Sequence, residues 1–186
     1  MTGERPPIET LASRTVYSNR WLTLREDTIR RADGAEGIYS VVDKPPFALV
    51  VPWDGKCLHL VGQWRHAVQR FCWEFPQGAL EGRYDAPPEE IARTELAEET
   101  GLRAGKMEQI GELYAAYGYS SQAYSVFLAT ELTQGEADLE PEEQGLVRRS
   151  VTAAEFEEML RTGEMPDAHS VSAYGLLRAG GYAPFG

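Results

Sequence analysis

Three glutamates near the middle of the chain have the type and spacing that metal chemistry needs. They are Glu95, Glu98 and Glu99. The segment around them predicts a helix that begins at Pro87 or Pro88 and ends at a glycine, since proline is tolerated in a first helical turn and glycine suits the position after the last one. At about 100° per residue, Glu98 lies ~60° from Glu95 on one side and Glu99 lies ~40° from it on the other. The three carboxylates therefore share one helix face.

Carboxylates at this spacing repel one another, at a cost of roughly a few tenths of a kcal/mol per pair. A hard divalent cation would convert the repulsion into chelation, because Mg²⁺ and Mn²⁺ prefer carboxylate and carbonyl oxygens as ligands. An isolated Glu-x-x-Glu-Glu triplet is also compatible with a solvated acidic helix face. The residues around the triplet favour the first of these interpretations.

These residues resemble the Nudix box. Its usual form is Gly, five residues, Glu, seven residues, and then Arg-Glu-hydrophobic-x-Glu-Glu-x-Gly-hydrophobic. The stretch from Glu95 to Leu102 matches the end of this pattern completely. The resemblance implies a Nudix hydrolase that cleaves phosphoanhydride bonds with Mg²⁺, or alternatively Mn²⁺, as its cofactor.

The resemblance also implies which residues hold the metal. Glu95, Glu98 and Glu99 are expected to be ligands, and Glu98 and Glu99 are expected to be essential for catalysis. In the family a backbone carbonyl near the box glycine often completes the site, which corresponds to Gln77 or Gly78 here.

The first half of the box departs from the pattern. Counted from Gly78, the loop is two residues longer than usual. Counted back from the helix, the usual first glutamate falls on Ala86, and the adjacent Asp85 is a possible substitute. The usual arginine falls on Thr94, and Arg93 sits one position earlier, so that it points ~100° away around the helix. The orienting hydrogen bonds that the family arginine supplies are therefore in question, while the ligand carboxylates are retained.

Three segments outside the box resemble the branch that cleaves ADP-ribose and other nucleoside-diphosphate sugars. Residues 16–21 are followed by a predicted hairpin at Asp33-Gly34, as in the N-terminal sheet extension of that branch. Gln63-Trp64-Arg65 sits where the branch often carries Gln-Tyr-Arg, and residues 163–170 resemble its usual ending. In this branch the N-terminal strands commonly exchange between subunits, so a homodimer is implied.

The predicted elements run in the order strands, one central helix, strands and terminal helices. Alone, this order predicts only a mixture of helices and sheet. The resemblance implies an α+β fold, an α/β/α sandwich with a mixed sheet, the box helix and an N-terminal antiparallel sheet extension. We expect residues 1–44 to form that extension and residues 45–186 to form the Nudix domain.

Several local signals predict individual elements. Residues 1–12 are expected to be loose or peripheral. Phe47–Val51 and Leu58–Val61 are expected to pair as strands around the turn Asp54-Gly55, and Glu108–Tyr117 and Tyr124–Leu132 to be two further strands. Thr152 and Glu155 have the spacing of a capping box at the start of a helix. A last helix is expected at Val171–Arg178, with Ser170 or Asp167 as its cap.

The substrate is expected to be a small nucleotide. Arg65 offers a planar guanidinium suited to phosphate oxygens, Glu74 could hydrogen-bond a ribose or approach the metal, and Trp21 could stack on a base. In the related branch a glutamate of a late loop activates the water, which makes Glu142 and Glu143 the candidates for the general base. Each of these residues is equally compatible with an ordinary surface or core position.

Bulk properties exclude several classes of protein. The net charge of −11 argues against a nucleic-acid partner bound through a broad basic surface. The N-terminus lacks the order of a signal peptide, and no apolar run approaches the ~18 residues of a membrane span, so a cytoplasmic protein without a membrane partner is expected. The two cysteines, Cys57 and Cys72, are expected to be ordinary buried residues.

Two alternative functions stay open at this point. Phe75-Pro76-Gln77-Gly78 also resembles the box entry of Nudix enzymes that act on dinucleoside polyphosphates or on RNA 5′ ends. The missing arginine and displaced first glutamate would instead suit a catalytically silent nucleotide sensor, although such a protein has less need of three clustered carboxylates.

Overall fold

The computed structural model describes residues 7–80, 82, 85–135, 145–182 and 185. The chain forms two compact units. The first unit contains the described residues up to Pro45 together with Tyr114–Ala123, and the second contains those of Pro46–Leu113 and Tyr124–Gly186.

The first unit is built on a three-stranded antiparallel sheet. Its strands follow in chain order as β1 (Ile8–Ser18), β2 (Thr23–Arg31) and β3 (Glu36–Asp43), with β2 in the middle. The predicted Asp33-Gly34 turn joins β2 to β3: the Asp33 carboxylate accepts the Ala35 N–H at 2.9 Å, and Gly34 has a φ of 83°.

The described part of residues 1–12 is peripheral, as predicted, because β1 is an exposed edge strand, but it is not loose. Ile8 lies opposite Arg31 and Ala12 lies opposite Thr28 in the antiparallel ladder. The residues of β1 are exposed on both faces and show no apolar alternation. Backbone pairing to β2 rather than burial of side chains defines this strand, and sequence periodicity does not report such pairing.

In its described residues, the second unit contains two sheets and three α-helices. A mixed sheet has the order β7-β4-β9-β8, in which β4 runs parallel to β9 and antiparallel to β7. A second, antiparallel sheet has the order β10-β5-β6. The strands are β4 (Phe47–Pro52), β5 (Leu58–Arg65), β6 (Arg70–Glu74), β7 (Gln77–Gly78), β8 (Leu102–Tyr114), β9 (Ala123–Gln134) and β10 (Val147–Val151), and the helices are α1 (Pro88–Thr100), α2 (Ala153–Thr162) and α3 (Ala168–Ala179).

The expected pairing of β4 with β5 is wrong. The turn between them is present, because the Asp54 carboxylate accepts the N–H groups of Lys56 and Cys57 at 2.8 and 2.7 Å. The two strands nevertheless enter different sheets and share only an isolated bridge between Trp53 and Leu58. All six residues of β4 are buried, which suits a strand covered on both faces in a mixed sheet.

Helices α1 and α3 lie on opposite faces of the mixed sheet. Ala48 and Val50 of β4 pack in one cluster with Ile91 and Leu96 of α1. On the other face, the ring of Phe47 lies edge-to-face with His169 of α3 at a centroid distance of 5.3 Å. Successive strand residues point to opposite faces, so the order is helix, sheet, helix, and the predicted α+β sandwich is confirmed.

The helix ends follow local sequence signals. Pro88 is the first residue of α1, and Gly101 ends it with a φ of 75°, as predicted. The capping box of Thr152 and Glu155 at the start of α2 is also present. The third helix begins at Ala168, three residues before the predicted start, because the Asp167 side chain accepts the Ser170 N–H. Within the described residues, the longest helix has 13 residues, and none is long and apolar enough to cross a membrane.

Candidate active site

Two of the three clustered carboxylates of α1 are buried in the second unit. Glu95 is 6 % exposed and Glu99 is 2 % exposed, while Glu98 is half-buried. A buried carboxylate is costly unless hydrogen bonds replace its hydration. Such a bond comes from β7, where the Gln77 backbone N–H donates to Oε2 of Glu99 at 3.0 Å.

The backbone of Gly78 lies directly against the Glu95 carboxylate. A Cβ atom added to Gly78 would sit 2.7 Å from both Cδ and Oε1 of Glu95, so the carboxylate would have to move. The same glycine pairs with Ala48 of β4, which fixes β7 in the sheet. Because Gly78 has no side chain, the strand can approach the acidic face of α1 without displacing the Glu95 carboxylate.

The donor chemistry around this face fits a hard divalent cation. The side chains of Glu95, Glu98 and Glu99 supply only oxygen donors, which Mg²⁺ and Mn²⁺ prefer. Beside them, Oε1 of Gln77 is buried and has no hydrogen-bond partner in the described part of the chain. In that same part, no three or more His, Cys, Asp or Glu side chains are gathered closely enough to hold a metal as they stand. The fit therefore rests on the kind of donor and on the close approach at Gly78.

A second polar cluster lies on the neighbouring strands. Glu74 at the end of β6 is 2 % exposed and accepts from Arg65 Nε at 3.1 Å and from Gln63 Nε2 at 2.9 Å. Burial raises the pKa of Glu74, and the positive charge of Arg65 opposes that rise. Glu74 is therefore a buried partner of Arg65. The Arg65 side chain remains 41 % exposed, so part of it is accessible from solvent.

Gln77 connects this cluster to α3. Its amide nitrogen lies 3.3 Å from Oε2 of Glu74 and 3.2 Å from Oδ2 of Asp167. Two carboxylates fix the orientation of the amide, because the opposite orientation would place its oxygen against both of them. This is why Oε1 of Gln77 is left as the buried acceptor.

Asp167 is a residue whose part in this cluster the sequence did not predict. Burial alone would raise its pKa, but hydrogen bonds from His169 and from the hydroxyl and amide of Ser170 outweigh that effect and lower the pKa to about 2. The Ser170 hydroxyl also accepts the N–H of Phe75 at 2.8 Å. The capping signal located Asp167 at a helix start, but its contact with Gln77, 90 residues earlier in the chain, has no local signature.

Other predicted residues lie elsewhere. Arg93 donates to Glu89 and to the Ala104 carbonyl, both at 2.9 Å, which agrees with its predicted direction around the helix. Trp21 belongs to the first unit and is 46 % exposed. Glu142 and Glu143 lie outside the described residues.

Comparisons with known families agree with this geometry. A model described as the NUDIX domain matches residues 44–174, and one described as the nucleoside diphosphate sugar hydrolase N-terminal domain matches residues 8–42. The chain belongs to the NUDIX family and is a hydrolase that acts on phosphoanhydride bonds. Nudix hydrolases in general need divalent cations.

Individual relatives resemble most of the chain. The chain is 31 % identical to the ADP-ribose pyrophosphatase of Mycobacterium tuberculosis over 172 residues, which are 91 % of this chain and 82 % of the relative. It is 30 % identical to the ADP-ribose pyrophosphatase of Bacillus subtilis over 173 residues, 91 % of this chain and 92 % of the relative. A crystal structure of an ADP compounds hydrolase superimposes with a TM-score of 0.82 at 21 % identity and covers 96 % of both chains, which shows a shared fold.

Replacement of Gly78 by alanine tests the close approach to Glu95. The added Cβ would displace the carboxylate, so we expect Gly78→Ala to lower the free energy of unfolding by about 1–3 kcal/mol and turnover by up to about 100-fold. Gly175→Ala is the matched control, because a Cβ there has nothing within 4 Å and alanine favours a helix. Chemical denaturation and initial rates measure both effects, and equal behaviour of the two variants would contradict the proposed packing.

The Asp167 hydrogen bonds predict a pH-dependent stability. Because its pKa falls from 3.8 to about 2 on folding, the stabilisation is complete above pH 3.8 and is lost as the pH falls towards 2. We expect the difference in free energy of unfolding between the wild type and Asp167→Asn to shrink by about 1 kcal/mol from pH 5.5 to pH 3. Urea unfolding at both pH values measures this, and a difference that does not change with pH would rule out the assigned hydrogen bonds.

Proposed function

We propose that this protein is a Mg²⁺-dependent pyrophosphatase of nucleoside diphosphates linked to another moiety, namely ADP-ribose or a nucleotide sugar. Hydrolysis of the pyrophosphate bond would release a nucleoside monophosphate and a sugar phosphate. The observation that carries the proposal is the buried Glu99 carboxylate, held by the Gln77 N–H on a helix face that also presents Glu95 and Glu98. The two ADP-ribose pyrophosphatases that resemble most of the chain support the choice of substrate.

The residues of α1 and β7 have distinct roles in this proposal. Glu95, Glu98 and Glu99 would hold the cation together with a backbone carbonyl of Gln77 or Gly78. A bound divalent cation neutralises phosphate charge and makes a bound water a better nucleophile. The protein contributes a Glu99 carboxylate oriented by the Gln77 N–H and a Glu95 carboxylate beside Gly78, and the three side chains would close around the cation when it binds.

Arg65 and Glu74 are proposed to bind the substrate together. The Arg65 guanidinium matches the planar geometry of phosphate oxygens, and its exposed part can reach a ligand. Glu74 fixes the orientation of Arg65 through the contact to Nε. Trp21, exposed in the first unit, is proposed to stack on the base of the nucleotide.

The first unit is proposed to form a homodimer. Ile8, Val16 and Ile38 are large apolar residues that its sheet leaves exposed, and burying such a surface against a second copy would be favourable. A nucleic-acid partner is disfavoured by the net charge of −11.

The function is tested by turnover on a substrate panel with Mg²⁺ or with chelator. ADP-ribose, ADP-glucose, GDP-mannose and diadenosine polyphosphates form the panel, and chromatography of the products identifies the bond cleaved. We expect release of a nucleoside monophosphate from ADP-ribose or a nucleotide sugar with Mg²⁺ only. Cleavage of the polyphosphates alone would favour that substrate class, and tight binding without turnover would favour the silent sensor.

Two carboxylate variants test the proposed metal ligands. We expect Glu98→Gln and Glu99→Gln to fold and to lose turnover. Removing a group that only supports a metal ligand typically costs about 10- to 100-fold, so loss of a ligand itself should cost at least that much. Glu158→Gln is the matched control, because Glu158 lies on α2 in an exposed ion pair with Arg161. Near-normal turnover of both α1 variants would refute the metal assignment.

The late loop is proposed to supply the general base. Glu142→Gln and Glu143→Gln are compared separately, and we expect one of them to lower turnover by about 100-fold or more, as loss of a positioned base should. Metal binding should be unchanged in that variant, which separates a base from a ligand. If neither replacement reaches this loss, the base lies elsewhere.

A further inference from the structure

The last carbonyl groups of α1 accept hydrogen bonds from a backbone N–H just past the helix and from side chains. The helix ladder extends one residue past α1, because the Gly101 N–H donates to the Ala97 carbonyl at 2.8 Å, and the Thr100 hydroxyl donates to the Leu96 carbonyl as well. Later carbonyls have no partner within the ladder, and that of Thr100 accepts from the Gln134 side chain at 3.4 Å. The Glu99 carbonyl accepts from a charged side chain, because Nε of Arg148 donates to it at 2.6 Å.

Arg148 comes from a different sheet. It lies on β10, opposite Val61 of β5, in the antiparallel sheet that contains neither β4 nor β7. Glu99 is therefore held at both ends: its carbonyl accepts from Arg148, and its carboxylate accepts from the N–H of Gln77. A cation at the C-terminal end of a helix is also favoured by the helix dipole.

The arginine on α1 itself serves another purpose. Arg93 donates to Glu89 and to the Ala104 carbonyl, and Thr94 occupies the position where the box pattern has an arginine. Of the two arginines Arg93 and Arg148, it is Arg148 of β10 whose guanidinium is described in contact with Glu99.

We infer that Arg148 is a positioning residue for the metal-binding face of α1, which it supports through the main chain of Glu99. This inference rests on the proposed function, because it takes Glu99 as a ligand. Removal of a group that orients a metal ligand without touching the metal typically lowers metal affinity by about 10- to 100-fold. Arg148 holds the main chain of Glu99, and thereby the point from which the Glu99 carboxylate extends.

The test is Mn²⁺ binding by the full chain, followed through the electron paramagnetic resonance signal of the free ion. We expect Arg148→Met to raise the Mn²⁺ dissociation constant by about 10-fold. We also expect a similar rise in the Mn²⁺ concentration for half-maximal turnover of ADP-ribose, with the rate at saturating Mn²⁺ within about 3-fold of wild type. Simple loss of folded protein would lower the number of sites and leave the dissociation constant unchanged.

Arg149→Met is the matched control. Arg149 is the next residue of β10, and it pairs with Glu164 at 2.6 Å and not with α1. A dissociation constant for Arg148→Met within about 2-fold of wild type, or an equal shift in Arg149→Met, would overturn the role of Arg148 while leaving the proposed function intact. Failure of the wild type to bind Mn²⁺ or to hydrolyse any substrate of the panel would instead overturn the proposed function.

Discussion

The structure of the second unit depends on burying two carboxyl groups between α1 and β7. Glu95 and Glu99 are almost completely excluded from solvent, and burial of unsatisfied carboxylates would cost several kcal/mol each (roughly, after relaxation). The Gln77 N–H offsets part of this cost at Glu99, and the missing side chain of Gly78 makes room at Glu95. The two-residue strand β7 is thus held by its contacts with the glutamates of α1. It is also held by its pairing with the buried strand β4.

Local chemistry explains which parts of the fold could be predicted from sequence. The limits of α1 follow from Pro88 and Gly101, and the start of α2 follows from Thr152 and its capping partner, because each signal acts within one helical turn. The turn at Asp54 was predicted for the same reason. That turn does not determine whether β4 and β5 pair, because sheet membership depends on β9 and β10, which come much later in the chain.

The residues of the candidate site also differ in whether local sequence predicts them. Glu95, Glu98 and Glu99 could be predicted because helical periodicity places them on one face. Asp167 and Arg148 could not, since their contacts with Gln77 and Glu99 span 90 and 49 residues. The prediction for Arg65 was incomplete for a related reason. The sequence around an arginine does not distinguish one that binds phosphate from one that pairs with a buried carboxylate, and here Arg65 pairs with Glu74.

Gln77 contacts both α1 and α3 at the candidate site. Its main chain donates to Glu99 of α1, and its side chain donates to Asp167, the cap of α3. The neighbouring Phe75 N–H donates to Ser170 of the same helix. Since the low pKa of Asp167 keeps that carboxylate ionised at any neutral pH, the amide of Gln77 keeps one orientation. The segment before the box helix is therefore held from both faces of the sheet, by Glu99 of α1 and by Asp167 of α3.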